Sequence, residues 1–488
     1  MSRYTLSLCR KLLLWSMVSF SGLLTLTSDA QTSTNRPPAP RRPNIILILA
    51  DDLGYGDLGC YGQTQIKTPN IDKLAEDGMK FTSFYAGSTV CAPSRATLMT
   101  GKNTGHVNIR GNADLSLNGE ELTIAKILKL AGYATGCIGK WGLGNEGSPG
   151  LPGRQGFDEY LGYLDQVQAH DYYPTHLFRS DSKGEESKIA LTENDADHKG
   201  LYSNDFFTQS ALNYLRINKP SKLNKHRSFF LYLPYTLPHA NNELGNRTGN
   251  GMEVPSTEPY TNEQWPQVEK NKAAMITRLD HYVGEIMDYL KKSKLDENTV
   301  VIFASDNGPH KEGGVNPKYF NSAGGLRGIK RDLYEGGIRV PFIVRWPARV
   351  KAGSISDAPL AFWDFLPTAA EIARTSSPTN IDGISFLPTL LGKAQTNRHQ
   401  YLYWEFHEQG FDQAVRMGDW KAVRHGINGP IELYNLKTDV SEKDNVADKN
   451  PEVMAKIADY LKKARTDDPR WPAKTVAEIK EDQETKVK

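Results

Sequence analysis

The chain has 488 residues but only four cysteines, Cys9, Cys60, Cys91 and Cys137. That is too few for a disulfide scaffold. Cys9 lies in an N-terminal segment that reads as removable, so at most one bridge can form and at least one thiol is left over. In an oxidising compartment such a thiol is either buried or chemically used. An excess of charge of one sign is also missing. With 59 Lys and Arg against 57 Asp and Glu, the formal charge is +2, which is no electrostatic footprint for nucleic acid. No phosphate-cradling P-loop, no HExxH zinc motif and no CxxC pair is present. Internal repeats are absent as well. The one long apolar stretch, Leu12 to Thr27, is short for a membrane span and is broken by Ser and Gly, which argues against a lasting anchor.

What is present at the N-terminus reads as a secretory signal over residues 1–30. Arg10 and Lys11 precede the apolar stretch, and Ser28-Asp29-Ala30 ends it with a small-x-small pattern. The protein is therefore expected outside the cytoplasm, periplasmic or secreted, and cleavage would leave the remainder formally neutral. Residues 31–42 are rich in Pro and polar groups and read as a disordered leader. The fold is expected to begin at Asn44–Ala50, a continuous apolar run suited to a strand buried on both faces of a parallel sheet. A short helix should follow, capped by Thr68 with Pro69 in its first turn. Another should run from near Pro93 to Gly101.

Further strands are expected at Tyr133–Ile138, Ser228–Leu233, Thr299–Ser305 and Ile338–Trp346. Apolar residues from Met275 to Leu290 recur at helical spacing, and a helix is expected at Asp364–Ala373. This alternation predicts an α/β domain over 43–395, with a large central, mostly parallel sheet sandwiched by helices. From 396 to 470 the pattern changes to short strands, Tyr401–Phe406, Gln413–Met417, Trp420–Arg424 and Ile431–Tyr434, then a helix over Pro451–Ala464. That predicts a small antiparallel subdomain with one helix. The charged tail, 471–488, is expected to fray, beginning near Thr466.

Two acidic pairs stand directly after buried strands: Asp51-Asp52 and Asp306-Asn307. In parallel sheets ligands bind beyond the carboxyl ends of the strands. Either pair alone is a common turn cap. Brought to one edge they would repel unless a cation lay between them. All four offer oxygen, which suits calcium or magnesium rather than zinc. A second concentration of chemistry is Cys91-Ala92-Pro93-Ser94-Arg95. Pro93 fits a first helical turn, which puts Cys91 at a helix N-terminus, where anions are favoured. Arg95 lies about one turn on and can point back toward Cys91. A lone cysteine at a helix start is ordinarily structural or a modest redox thiol; the whole pentapeptide is not ordinary.

Cys91-x-Pro93-Ser94-Arg95 with Thr100-Gly101 resembles the signature of type I sulfatases of the alkaline phosphatase superfamily. The likeness extends along almost the whole chain after the leader. It takes in Asn44 to Asp57, Thr68-Pro69-Asn70-Ile71-Asp72, Gly139-Lys140-Trp141, Pro238-His239, Ser305-Asp306-Asn307-Gly308, and Lys330 with Tyr334-Glu335-Gly336-Gly337. The resemblance implies that Cys91 is oxidised to formylglycine (3-oxoalanine) by a maturation enzyme. Asp51, Asp52, Asp306 and Asn307 would hold one calcium ion together with the modified Cys91. Arg95 would orient the formylglycine hydrate, and Lys140, His239 and Lys330 would grip the sulfate.

The implied reaction is hydrolysis of a sulfate monoester, an aryl sulfate or a sulfated carbohydrate. One hydroxyl of the hydrate attacks sulfur and expels the alcohol, with His239 or Lys330 protonating the leaving oxygen. The second hydroxyl then eliminates sulfate and restores the aldehyde. A serine could attack but would lack that exit.

One position departs from the pattern. Many relatives have Gly-Lys-Trp-His-Leu-Gly, whereas this chain has Gly142 where that His stands. His170 is a candidate to reach the same region. The Gly-Lys-Trp-Gly-Leu-Gly form resembles a bacterial branch linked to sulfated glycans, with galactose-type sugars as the expected substrates. His407 and Glu408, from the C-terminal subdomain, are candidates to hydrogen-bond sugar hydroxyls. Two alternatives remain open at this level: a phosphonate or phosphodiester hydrolase of the same superfamily, and a catalytically inactive binder of sulfated glycans.

Overall fold

Asn44–Ala50 is a strand buried along its entire length. Ile45, Leu47 and Leu49 enter one apolar cluster, while Ile46, Ile48 and Ala50 enter another. Successive side chains of a strand point to opposite faces, so the apolar run over residues 45–50 needs cover on both sides. The helices Ile124–Leu130 and Phe365–Ile372 supply residues to the first cluster. Ser203–Asn218 and Gln267–Lys292 supply residues to the second. The computed structural model describes residues 41–487 except 182, 184, 220–223 and 225–227. The predicted signal and all but the last two residues of the leader lie outside them. Among the described residues no helix is long and apolar enough to cross a membrane.

The main sheet has ten strands. From one edge they are Ser354–Ser356, Met79–Phe81, Phe342–Arg345, Thr299–Ser305, Asn44–Ala50, Phe229–Pro234, Ala134–Lys140, Glu159–Tyr163, His176–Ser180 and Glu186–Ala190. The sheet is mixed, with five of its nine strand pairs parallel, as expected of a mostly parallel sheet. Its centre, Thr299–Ser305 through Glu159–Tyr163, is parallel throughout. Antiparallel pairs flank that centre on both sides. Ala50 is in register with Ser305, so the two acidic pairs leave the sheet side by side.

Several predicted elements differ in detail. Thr68 stands at the N-cap of Pro69–Glu76 without bonding a helix amide. Its hydroxyl instead accepts the Gly59 amide and donates to Asp72. The strand expected over Ile338–Trp346 is only Phe342–Arg345, because Glu335–Ile338 forms one helical turn. The C-terminal sheet runs in sequence order, Leu402–Phe406, Asp412–Met417, Trp420–His425 and Ile431–Asn435, antiparallel throughout, and Pro451–Leu461 follows. The tail is more ordered than its charge suggests. The Thr466 amide bonds Gly105 O at 2.9 Å. Trp471 is buried and donates to Asn108 O at 3.0 Å, and Val476–Val487 is helical.

Candidate active site

All five central strands deliver polar residues to the same edge. Thr299–Ser305 ends in Asp306-Asn307, Asn44–Ala50 in Asp51-Asp52, and Ala134–Lys140 in Lys140 itself. Phe229–Pro234 leads to His239, and Glu159–Tyr163 leads through Gln166 to His170. The helix Cys91–Thr100 points its first turn at this edge and ends at Gly101, φ +71°. Ser94 ties it down: its hydroxyl donates to Asp306 O at 2.5 Å and accepts the Gly87 amide at 3.1 Å.

The carboxylates are wholly buried and crowded. Asp52 has a left-handed backbone, φ +64°, and its amide donates to Asp306 Oδ1 at 3.1 Å. Asn307 Nδ2 donates to Asp52 Oδ1 at 2.7 Å. The buried Asn307 Oδ1 has no hydrogen-bond partner among the described residues. Arg95 clamps Asp306 Oδ2 through Nε and Nη2 at 3.0 and 2.8 Å, with Asp51 Oδ2 3.5 Å from Nη2. Lys140 Nζ donates to Asp51 Oδ2 at 2.7 Å, and Lys330 Nζ to Asp52 Oδ2 at 2.8 Å. Burial alone would push Asp51 up, but Lys140 and Arg95 outweigh it and hold that carboxyl well below its usual range. Burial and the Asp51 charge push Asp306 up. Cys91 Sγ lies 3.2 Å from Asp51 Oδ1, and burial together with Asp51 raises its thiol well above the ordinary value. As a thiol it is therefore protonated and a poor nucleophile.

His239 Nδ1 lies 2.7 Å from Ala240 O, the arrangement of an Nδ1–H donor. That leaves Nε2 as acceptor for Lys330 Nζ at 3.2 Å. Burial and Lys330 hold His239 well below the usual histidine range, so the ring is neutral. His170 stacks on it with centroids 4.9 Å apart, and His310 lies on it at 6.0 Å. His310 accepts the Glu312 amide and bonds Pro238 O.

A cavity of about 470 Å³ opens over Cys91, with His170, His239, Lys330 and Gly142 in its wall. Gly142 is left-handed, φ +72°. A Cβ there would sit 2.1 Å from Gln166 Nε2, so the Gln166 amide occupies the space a side chain at 142 would enter. His170 lines the same cavity, with Nδ1 3.1 Å from Glu243 Oε2. His407 does not line it. Its Nε2 bonds Glu405 at 3.0 Å and its ring packs beside Phe411 and Trp471, because the docked tail fills that side. Glu408 accepts the Asn112 amide at 3.0 Å and faces Arg331 Nε at 3.3 Å, and so supports the cavity wall through those two residues.

Sequence reasoning missed Glu312, which pairs with Lys330 and Arg331 and is held at about 2, burial notwithstanding, chiefly by Lys330. It also missed Arg331, Asn112 and Gln166. Their only signal was nearness in sequence, Arg331 to Lys330 and Gln166 to the segment around His170.

Residues 43–375 match the family model Sulfatase. Residues 329–467 match that of N-sulphoglucosamine sulphohydrolase, C-terminal. The chain is 32% identical to the N-acetylgalactosamine-6-O-sulfatase of Bacteroides thetaiotaomicron, over 87% of this chain and 94% of that one. It is also 32% identical to Arylsulfatase G of Rattus norvegicus, over 91% and 89%. Among solved structures, Ps i-CgsB in complex with k-i-k-neocarrahexaose aligns with a TM-score of 0.76 at 29% identity, over 91% of this chain and 98% of that one. The phosphonate monoester hydrolase of Agrobacterium radiobacter, at 21% identity and a TM-score of 0.61, shares the fold alone.

Proposed function

The chain belongs to the sulfatase family and is a sulfuric ester hydrolase; from that premise we propose that it acts through formylglycine at Cys91 and a calcium ion, on a sulfated sugar of the galactose type, outside the cytoplasm. The observation that carries the reading is the convergence of Cys91, Lys140, His239 and Lys330 on one buried edge, with the Cys91 end of the cavity open to a ligand.

The donor set fits a hard cation. Asp51, Asp52, Asp306 and Asn307 offer oxygens, and the buried Asn307 Oδ1 lacks any other partner, a costly state unless something fills it. These four, with the oxidised Cys91, would hold calcium, which would neutralise the carboxylates and favour ionisation of a hydroxyl at position 91. Arg95, fixed on Asp306, orients that side chain. Lys140 and Lys330 supply ammonium donors to the sulfate oxygens in a site shielded from water, where such donors act strongly. The neutral His239 ring offers Nε2 to a proton. A bound anion beside it favours the charged ring, which then hands the proton to the leaving oxygen. Relatives named for N-acetylgalactosamine-6-sulfate support a galactose-type sugar.

The test is a mass measurement of the Cys91 peptide from protein produced with a maturation enzyme, paired with an aryl sulfate assay. The mass loss of thiol-to-aldehyde conversion together with sulfate release is the expected result. An aldehyde that spares sulfate esters yet cleaves an aryl phosphonate would replace the proposal with its phosphonate alternative. An unmodified thiol without turnover would leave only glycan binding.

A further inference from the structure

Arg331 lines the cavity beside Lys330, its side chain about one-third exposed. Its backbone is left-handed, φ +79°, a conformation that is strained for a non-glycine residue and persists where the surroundings enforce it. Thr89 enforces it, accepting the Arg331 amide through its carbonyl at 3.1 Å and its hydroxyl at 2.9 Å. The side chain is held equally firmly, Nη1 on Glu312 at 2.5 Å and Nε on Glu408 at 3.3 Å. Glu408 also takes the Asn112 amide, and Asn112 Oδ1 takes the Ala92 amide at 3.0 Å. A ring of contacts thus runs from Ala92 through Asn112, Glu408, Arg331 and Thr89 back to the turn before Cys91. It fixes the guanidinium relative to the reacting side chain. Nη2 has no hydrogen-bond partner among the described residues.

Charge decides what that free group can take. Lys330 and Arg331 together face Asp52, Glu312 and Glu408, two cations against three carboxylates. This flank offers directed N–H donors without surplus positive charge. Two further carboxylates, Asp114 and Asp165, line the same cavity. Asp114 is hydrogen-bonded by Asn145, and Asp165 by the Gln168 amide at 2.8 Å. Neither has a basic partner among the described residues. A sugar hydroxyl can accept from Arg331 and donate to a carboxylate. A second sulfate, or a uronate, would meet like charge.

Resting on the sulfatase reading above, we propose that the cleft is built for a sugar carrying one sulfate: Arg331 donates to a neutral oxygen of that sugar, and Asp114 and Asp165 turn away a second anionic substituent. The experiment is competition against aryl sulfate hydrolysis by the mature enzyme, with galactose and N-acetylgalactosamine monosulfates set against the corresponding disulfates. The monosulfates should inhibit at least about tenfold more tightly than the disulfates. In an Asp114→Asn, Asp165→Asn double variant that ratio should shrink to within about threefold. Arg331→Lys keeps the charge and loses the planar fork, and should weaken monosulfate inhibition by about tenfold while the ratio persists. Disulfates that compete as well as or better than monosulfates in the wild type would overturn the proposal, as would a ratio the double variant leaves intact. Absence of aryl sulfate turnover in the wild type would instead strike the reading on which it rests.

Discussion

Two buried ionic clusters, one around Glu405 and one at the sheet edge, are built on opposite principles. Glu405 is saturated: Arg110, Arg465, Tyr403 and His407 all bond its two oxygens at 2.8–3.0 Å. Burial would raise its carboxyl, but His407, Arg110 and Arg465 bring it to about 2. At the sheet edge, by contrast, Asp51, Asp52 and Asp306 crowd together, Asp306 is pushed up, and Asn307 Oδ1 has no partner. A complete cluster locks the C-terminal sheet to the main domain. The sheet edge instead has the composition of a candidate metal site, its carboxylates held by Lys140, Lys330 and Arg95 around donor atoms that could take an ion.

The largest effect separating the two belongs to Cys91. Cys91→Ala should lower sulfate release by at least about 10³-fold, since the nucleophile is lost, with little change in the thermal midpoint. Glu405→Ala should do the reverse. Stranding Arg110 and Arg465 without their shared partner should cost about 3–5 kcal/mol, seen as a fall in thermal midpoint, while turnover per folded molecule stays near wild type. A Glu405→Ala protein of normal stability would mean that the saturated cluster is decorative. Next in size is Asn307→Leu. Calcium at a hundredfold excess over its dissociation constant should stabilise the wild type by about 2.7 kcal/mol. The variant should lose most of that gain, measured by melting with calcium and with chelator.

The same contrast explains what could be read from sequence. Asn44–Ala50 and Thr299–Ser305 are legible because a strand buried on both faces carries an unbroken apolar run, here over residues 45–50 and 300–304. So are the oxygen donors that follow them. The strand order is not, since those two neighbours lie about 250 residues apart. Ile338 was read as strand, yet Gly336 and Gly337 close a helical turn against the loop before them; a Cβ on Gly337 would lie 2.0 Å from Asp332 O. The sequence places His407 in the C-terminal subdomain and so toward the cleft, but its charge pattern gives no sign that the tail packs against that residue. Trp471, a lone large apolar residue in a charged stretch, was the signal that the tail docks. Glu312, Arg331 and Asn112 sit in irregular loops, where no periodicity marks which side chains turn inward.

The smallest expected effect is a slope with pH, and its sign distinguishes the clusters. Glu405 has a folded value near 2, below its ordinary one. Its stabilisation is complete above the unfolded value and is lost only as pH falls through about 4 toward 2. Asp306 is raised to about 7, so in the calcium-free protein the folded state holds a proton that the unfolded state has released. The Asp306 contribution to stability therefore rises as pH falls through 7 toward 4, while His170, His239 and His310, all held below the ordinary histidine range, oppose it. Melting the chelated wild type beside Asp306→Asn, in which that group cannot titrate while the histidines still do, should show the wild type gaining about 2–4 °C on the variant between pH about 8 and about 5.5. With calcium bound, the ion takes the place of that proton and the rise should vanish. A calcium-free wild type that gains nothing on the variant over this interval would mean that Asp306 is already compensated by Arg95, and that the sheet edge is as complete as the cluster around Glu405.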